Sequence, residues 1–410
     1  EVYGHIDEIK GKLKEKLETD RDNAYFSYEL ATIYRDVPLD VHLGSLTYDG
    51  ANQQKLKALF QQLEFHFFLK NMDFSESVDE DFEYTVVKNI SDIKESFEYA
   101  YYIECDRENY HYANILGMSL YDGQTAYFVP ESLVGEVIEK LGMRLRYTYA
   151  LKKNIILSHK RGLALNNSDF DMMIAYYLLD NTTKDDIALK MSDEGIAVYY
   201  YEDVLKKKVE SATFQKGMAL KVKFIWDKKD ELKGRIKDGE MGELYNDIEM
   251  PLVKVLADME LTGVRVDRAM LLEMQGILKE KISVLEEKIY TCTGETFNIA
   301  SPKQLGEVLF EKMGIPYPSK KKGADSSVLE KLYDDYPVIG LIIEYRALSK
   351  LYNTYVEPLE SYIEEDGKIH TIYKQTLTRT GRLSSVEPNL QNIPAREEEG
   401  KLIKKAFISE

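Results

Sequence analysis

The residues with most chemistry to offer lie near the C-terminal end of the 410-residue sequence, in Gln375-Thr-Leu-Thr-Arg-Thr-Gly-Arg-Leu-Ser-Ser-Val-Glu-Pro-Asn-Leu-Gln-Asn-Ile-Pro-Ala-Arg396. Arg379, Arg382 and Arg396 only donate hydrogen bonds. Asn389, Gln391 and Asn392 donate and accept, and Thr378, Thr380, Ser384 and Ser385 do both on short stems. Such a set can hold phosphate oxygens and base edges together. Every base pair presents purine N3 and pyrimidine O2 acceptors in the minor groove, so arginine and amide side chains there would test the shape of a pair without reading its sequence. The stretch follows neither the helical nor the alternating period, and Gly381, Pro388 and Pro394 punctuate it. It therefore reads as an ordered loop with short extended pieces. Composition alone gives only a polar surface loop; the order of the residues carries more.

The rest of the chain sets the frame for that loop. Its length allows two to four domains with a sizeable core. The net charge of −17 excludes a general polyanion binder. The charge is uneven: residues 249–410 hold 22 Lys and Arg against 26 Asp and Glu, whereas residues 1–248 hold 32 against 45. A nucleic-acid surface would then be a local patch in the C-terminal part. No apolar run is long enough to cross a bilayer, so no membrane partner is expected. The first residues lack the basic start and apolar centre of a signal peptide. With only Cys105 and Cys292 there is no disulfide framework or thiolate zinc site to expect, and a reducing cytoplasm fits.

Taken in order, residues 1–70 read as helical, with Ile6, Ile9, Leu13 and Leu17 at three- and four-residue steps and a second pattern from Asp22 to Ile33 that Pro38 ends. Residues 71–248 read as a mixed sheet with helices on it. Tyr99–Ile103 is a β-rich run, Asp122-Gly123 marks a hairpin, and Asp171–Asp180 is helical. From residue 249 the pattern is mainly helical. Ile248, Leu252, Val255, Leu256 and Met259 form one apolar face, Gly263 stops that helix, and Asp267 caps the next. The helix that follows places Leu271, Met274, Ile277, Leu278, Ile282, Leu285 and Ile289 at near-heptad spacing. Ser301 and Pro302 open a helix whose N-terminal donors could take an anion, with Lys303 in its first turn and Lys320, Lys321 and Lys322 in a basic loop beyond. Arg346 and Lys350 lie four apart on one helix face.

Thr-x-Thr-Gly-Arg-Leu-Ser-Ser followed by Pro-Asn-Leu-Gln-Asn-Ile-Pro resembles the segment that leads into the palm of family A DNA polymerases, the bacterial DNA polymerase I group. The resemblance extends over nearly the whole chain and is most specific over residues 249–407. Residues 1–70 resemble the helical tail of the 5′-nuclease region and its linker. Residues 71–248 resemble the 3′–5′ exonuclease domain, residues 249–375 the thumb, and residues 376–410 the start of the palm. The fold class implied is α/β plus mainly α, a ribonuclease-H-like exonuclease domain followed by a helical thumb. The resemblance also implies contacts to a primer-template duplex from Ser301, Lys303, Lys320, Lys321, Lys322, Arg346, Lys350, Thr380, Arg382, Ser384, Asn389, Gln391 and Asn392.

The same resemblance implies four exonuclease carboxylates around two divalent metals, which would clamp both oxygens of an in-line displacement. Its motifs fall on Glu104 and Asp106, then near Lys160, then near Phe214 and Met218. Lys and Met cannot ligate a hard cation, so the domain reads as a nuclease fold without its metal site. In a different register, Asp169, Asp171, Asp185 or Asp186 would supply it. Polymerisation in this family uses magnesium on palm aspartates and takes deoxynucleoside triphosphates. The Asp-Tyr-Ser-x-Ile-Glu motif that starts this set is expected just past Glu410, and the N-terminus has no Met. The chain therefore reads as an internal fragment that binds duplex as a monomer, holds no cofactor itself and carries no catalytic residue of polymerisation. The competing reading is a non-catalytic DNA-binding module on a dead nuclease fold. A helical interaction protein is a third, and it leaves Thr-Gly-Arg-Leu-Ser-Ser unexplained.

Overall fold

The computed structural model describes residues 2–34 and most of 82–409, leaving aside 166–167, 183–184, 318–322 and 394–397, with a few further residues between 56 and 68. The chain divides into two compact units, Glu1–Gln62 and Leu63–Glu410. The first contains a 3-10 turn at Val2–Glu8 and helices at Lys12–Thr19 and Arg21–Ala31. None of their residues is buried, and Tyr25, Phe26, Tyr28 and Leu30 stand exposed. The second expected helix stops two residues short of Ile33. The expected stop at Pro38 and the rest of the linker fall outside the described residues.

The second unit holds two apolar cores. The first is built on a six-stranded sheet of β1 (Thr85–Val86), β2 (Tyr99–Cys105), β3 (Ile115–Tyr121), β4 (Ala126–Pro130), β5 (Leu145–Thr148) and β6 (Phe170–Asp171). The spatial order is β1-β4-β3-β2-β5-β6. β2, β3 and β4 form an antiparallel meander, while β1, β5 and β6 join it in parallel pairings. The expected turn at Asp122-Gly123 joins β3 to β4. The Asp122 Oδ1 accepts the amides of Gln124 and Thr125 at 2.8 and 2.7 Å, and Gly123 has φ +94°. All seven residues of β2 are buried. That is why Tyr99–Ile103 shows no alternation: helices cover the sheet. The helices that matter here are α1 (Leu151–His159), α2 (Met172–Leu179) and α3 (Ser211–Asp238), and α3 packs along β2, β3, β4 and β5.

α4 (Met250–Thr262) ends at Gly263, whose amide reaches the Met259 carbonyl at 3.0 Å with φ +69°. Its buried face corrects the one read from the sequence. Met250, Val253, Leu256, Ala257 and Glu260 are buried, whereas Ile248, Val255 and Met259 are 57%, 52% and 44% exposed. The inward face contains a carboxylate, which an apolar pattern cannot register. Met250, Val253 and Ala257 also join the sheet's core, so the helix expected at the base of the thumb packs on the nuclease-like domain.

β7 (Val264–Arg265) leads to α5 (Arg268–Thr293), capped by the Asp267 carboxylate, which accepts the Met270 amide at 3.0 Å. α5 packs along α6 (Pro337–Leu351) and forms the second core with it. Leu271, Met274, Leu278, Leu285 and Ile289 of α5 face inward. Ile277, placed in the same stripe by its spacing, is 43% exposed. β8 (Lys368–Ile369) pairs with β7, and β9 (Ile372–Lys374) pairs with β10 (Ser384–Val386). No described helix is long and apolar enough to cross a membrane.

Candidate nucleic-acid interface

The stretch singled out by its polar residues supplies the loop and the second strand of a hairpin. β9 and β10 pair antiparallel with Lys374 opposite Ser384, Tyr373 opposite Ser385 and Ile372 opposite Val386. The loop between them is tied at its neck: the Thr378 hydroxyl donates to the Arg382 carbonyl at 2.6 Å, across Gly381 with φ +74°. A positive φ costs glycine little, and it turns the chain sharply enough to close the loop. Arg379, Thr380 and Arg382 are exposed at its tip. After β10 the buried Ser385 hydroxyl accepts the Leu390 amide at 2.9 Å, and the Asn389 side-chain oxygen accepts the amides of Gln391 and Asn392 at 3.1 and 3.2 Å. Asn389 thus spends its acceptor on the turn and offers only its NH₂ outward. Gln391 and Asn392 stand exposed beside it, and Ser384 is half-buried.

The base of this hairpin rests on the nuclease-like domain. Gln375 donates to the Glu249 carbonyl at 3.0 Å, and the Thr376 hydroxyl to Asp185 at 2.7 Å. Lys374 pairs with the same Asp185 at 3.2 Å. Further along, the Tyr177 hydroxyl donates to the Thr378 carbonyl at 2.8 Å and Asn181 to the Arg379 carbonyl at 2.9 Å. Beneath them lies Glu260, fully buried on α4. One oxygen accepts the Tyr373 amide at 2.8 Å and pairs with Lys152. The other faces the Tyr110 hydroxyl at 2.9 Å and the His111 Nε2 at 3.1 Å. Burial pushes the Glu260 carboxyl up, but His111, Lys152 and the Tyr373 amide outweigh it and hold it below the usual range.

The expected thumb contacts divide. Ser301 caps its short helix as expected, its hydroxyl accepting the Gln304 amide at 3.4 Å with Pro302 next in line. That bond removes one donor from the supposed anion site. Lys303 and Lys350 are exposed. Arg346 is not their equal: it is half-buried, and its Nη1 donates to the Ala324 carbonyl at 2.7 Å. Burial lowers its affinity for a proton, as expected for a cation drawn out of water. Lys320, Lys321 and Lys322 fall outside the described residues.

The nuclease-like positions also come apart. Glu104 is fully buried on β2, and its Oε2 accepts from the Tyr102 hydroxyl at 2.9 Å and the Lys221 ammonium at 3.1 Å. Lys153 stands 4.0 Å from Oε1. The Lys221 ammonium is itself fully buried, 3.9 Å from the centre of the Tyr199 ring. Asp106 does not join Glu104. The strand register shifts between Glu104 and Cys105, and Asp106 closes the β2–β3 connection, accepting the Asn114 amide at 2.7 Å and its side chain at 2.9 Å. Lys160 lies over the Tyr112 ring. Phe214 stacks on Tyr199, and Met218 is buried with its carbonyl on the Ser119 hydroxyl. The residue of α3 that reaches Glu104 is Lys221, which motif spacing did not single out. Its place on the same helical face as Met218, Val222 and Ile225 was the available signal: a lysine among buried apolar positions.

A profile of DNA polymerase family A matches residues 268–410, and one of the DNA polymerase I ribonuclease H-like domain matches residues 101–226. The chain is 36% identical to DNA polymerase I of Bacillus subtilis, covering 98% of this chain and 48% of that protein. It is 37% identical to DNA polymerase I of Streptococcus pneumoniae, covering 100% and 48%. The chain belongs to the family A DNA polymerases. It spans about half the length of the curated relatives it matches. Among solved structures it resembles the polymerase domain of the M. smegmatis enzyme in complex with DNA primer-template and dNTP. The TM-score is 0.64 at 27% identity, over 76% of this chain and 55% of that one. The fold is thus a ribonuclease-H-like exonuclease domain joined to polymerase-domain elements.

In the nuclease-like domain of this family A chain, the described candidate carboxylates each hold partners within the protein. Glu104 already carries an ammonium on one oxygen. The other candidate carboxylates hold backbone or neighbouring side chains. Asp171 accepts the amides of Ala150, Leu151 and Met173 at 3.0, 2.7 and 2.9 Å, and burial pushes it up to about 6. Asp186 caps the helix at Ile187–Asp193 and accepts the Tyr201 amide, Asp185 holds Thr376, and Asp169 pairs with Arg146. Among the described residues no three His, Cys, Asp or Glu side chains converge on one point.

Proposed function

We propose that this chain supplies the duplex-gripping part of a cytoplasmic, monomeric DNA-directed DNA polymerase, and that its nuclease-like domain does not cleave DNA. The observation that carries the reading is the β9–β10 hairpin, which holds Thr380 and Arg382 exposed on a closed turn, with Gln391, Asn392 and Asn389 exposed in the segment that follows β10. The likeness to a polymerase domain solved with primer-template and dNTP supports the partner class. Arg382 is assigned to the minor-groove acceptors of the terminal pair, and Lys303 and Lys350 to the phosphate backbone. The Lys221–Glu104 pair supports the absence of cleavage. A divalent cation at that oxygen would have to displace a buried ammonium. Deoxynucleoside triphosphates and magnesium belong to the polymerisation that the whole enzyme would perform.

The test is binding of a labelled primer-template duplex, followed by incubation of a 3′-mismatched primer with magnesium or manganese. Salt-dependent binding with an intact primer is the expected result. Metal-dependent release of nucleotides that Glu104→Gln abolishes would overturn the non-cleaving assignment. In the whole polymerase, 3-deazapurine at the primer end should slow extension by wild type more than by Arg382→Ala, because only wild type has the donor to lose. Equal losses would remove Arg382 from the minor groove.

A further inference from the structure

The contacts between the nuclease-like domain and the β9–β10 hairpin are aimed at one place. Tyr177, at the end of α2, and Asn181, just beyond it, donate to the consecutive carbonyls of Thr378 and Arg379. These two carbonyls begin the turn that the Thr378 hydroxyl closes on Arg382. Asp185 then takes both Thr376 and Lys374 on the strand leading into it. The three residues lie within one short stretch of the nuclease-like domain, nearly 200 positions from the loop in sequence. α2 is a firm base for such contacts. It is capped by Asp171, and Ile174, Ala175, Tyr176 and Tyr177 are all buried. The loop's own means of holding shape are few, because Arg379, Thr380, Gly381 and Arg382 are exposed.

Resting on the duplex-binding reading above, we propose that Tyr177, Asn181 and Asp185 are positioning residues for the primer-template contact, holding the 376–382 turn so that Arg382 meets the duplex preformed. The nuclease-like domain then has work that survives the loss of its metal chemistry: it is the bracket of the loop. The physical case is preorganisation. A loop free to move must be ordered on binding, and that entropy comes out of the affinity. Two donors on adjacent carbonyls fix the backbone at the start of the turn. They touch no side chain of the loop, so they set its position without constraining which residues it presents. In this proposal Tyr177 and Asn181 spend their donors on the loop backbone rather than on DNA. Removing them should act only through the loop.

The experiment compares wild type with the Tyr177→Phe, Asn181→Ala double variant, each with and without Arg382→Ala. In DNA-free protein, deuterium uptake over residues 375–386 should rise in the double variant while uptake over residues 99–121 stays at the wild-type rate. Unchanged uptake over 375–386, or a rise in both segments, overturns the proposal. On a labelled primer-template duplex the double variant should bind about three- to tenfold more weakly, the scale of one or two net hydrogen bonds. Arg382→Ala should cost clearly less in that background than in wild type, because a loop already displaced has less of the contact to lose. An equal cost in both backgrounds overturns the proposal, since anchors acting through the loop cannot be independent of Arg382. If wild type binds no duplex although the variant's loop loosens, the functional reading fails. The proposal then falls with it, by a signature distinct from unchanged uptake. Asn181→Gln, which keeps the donor, should recover part of the binding that Asn181→Ala loses, and no recovery would overturn the role of that bond.

Discussion

The Lys221–Glu104 pair shows most clearly what single residues contribute. Both side chains are fully buried and 3.1 Å apart, so each charge is tolerable chiefly because of the other. Lys221→Met should therefore cost about 3–5 kcal/mol, because it leaves the buried carboxylate with only the more distant Lys153 as counter-charge. Adding Glu104→Gln should recover most of that loss. Urea unfolding reads both, and a Lys221→Met midpoint equal to wild type would deny the buried pair. Two other buried carboxylates should pull the pH dependence of stability in opposite directions. The folded Asp171 binds its proton more tightly than the unfolded chain, from 3.8 to about 6. The stability it lends is present below 3.8 and is lost as pH rises through about 6. Glu260 is held low, so its contribution is present above its unfolded value near 4.5 and disappears as pH falls through the folded one. Between pH 4 and 6, Asp171→Asn should show a smaller decline in urea midpoint than wild type. The same decline in both would assign it to another group.

At the scale of elements, the helices α5 and α6 separate neighbours that look alike in sequence. Leu278 is buried and Ile277, beside it, is 43% exposed. Leu278→Ala should cost about 2–5 kcal/mol, from lost transfer energy and the cavity left behind. Ile277→Ala should stay within about 0.5 kcal/mol. Thermal or urea unfolding distinguishes them, and equal losses would mean that α5 presents a different face to α6. Arg346 and Lys350 make a second such pair on α6. Four residues apart, they share a helix face, yet Arg346 turns back onto the Ala324 carbonyl while Lys350 stays exposed. Arg346→Ala should therefore lower stability by about 1.5–3 kcal/mol, the range for a hydrogen bond from a charged donor. It should leave the salt dependence of duplex binding close to wild type. Lys350→Ala should do the reverse, reducing the slope of log affinity against log salt by about 0.9 for one phosphate contact. Binding isotherms at four salt concentrations decide this, and a slope that drops for Arg346 and not for Lys350 would exchange their roles.

At the scale of the molecule, the second unit is one structure with two cores, and the polymerase elements are not independent of the nuclease-like domain. α4 lends Met250, Val253 and Ala257 to the sheet's core while carrying the Glu260 that holds Tyr373 of the β9–β10 hairpin. Glu260 thus ties Tyr110, His111 and Lys152 of one domain to β9 of the other. Glu260 and its Tyr110, His111 and Lys152 partners are buried, so removing the carboxylate would leave Lys152 without its counter-charge, at a cost of several kcal/mol. The first core's stability and the hairpin's position should then fall together. Glu260→Ala should lower the urea midpoint and weaken duplex binding in the same protein, and a loss of stability with duplex affinity unchanged at low temperature would uncouple them.

Local order in the chain was legible directly. The hairpin at Asp122-Gly123, the stop at Gly263, the caps at Asp267 and Ser301, and the Thr-Gly-Arg-Leu-Ser-Ser run that marks the family all follow from residues a few positions apart, where backbone preference and side-chain capping act. The inward face of α4 was not legible, because its deciding residue is a charge that becomes acceptable only beside Lys152 and His111. Lys221 escaped for the same reason: its partner Glu104 lies more than a hundred positions earlier, on a strand whose register shift sends Asp106 elsewhere. Arg346 looked like a surface cation until Ala324 came to meet it. Sequence determines which segments are helices, turns and strands, since those energies are local. Only the tertiary structure decides which charges are neutralised inside and which remain at the surface, since an ion pair depends on a distance that the linear order does not contain.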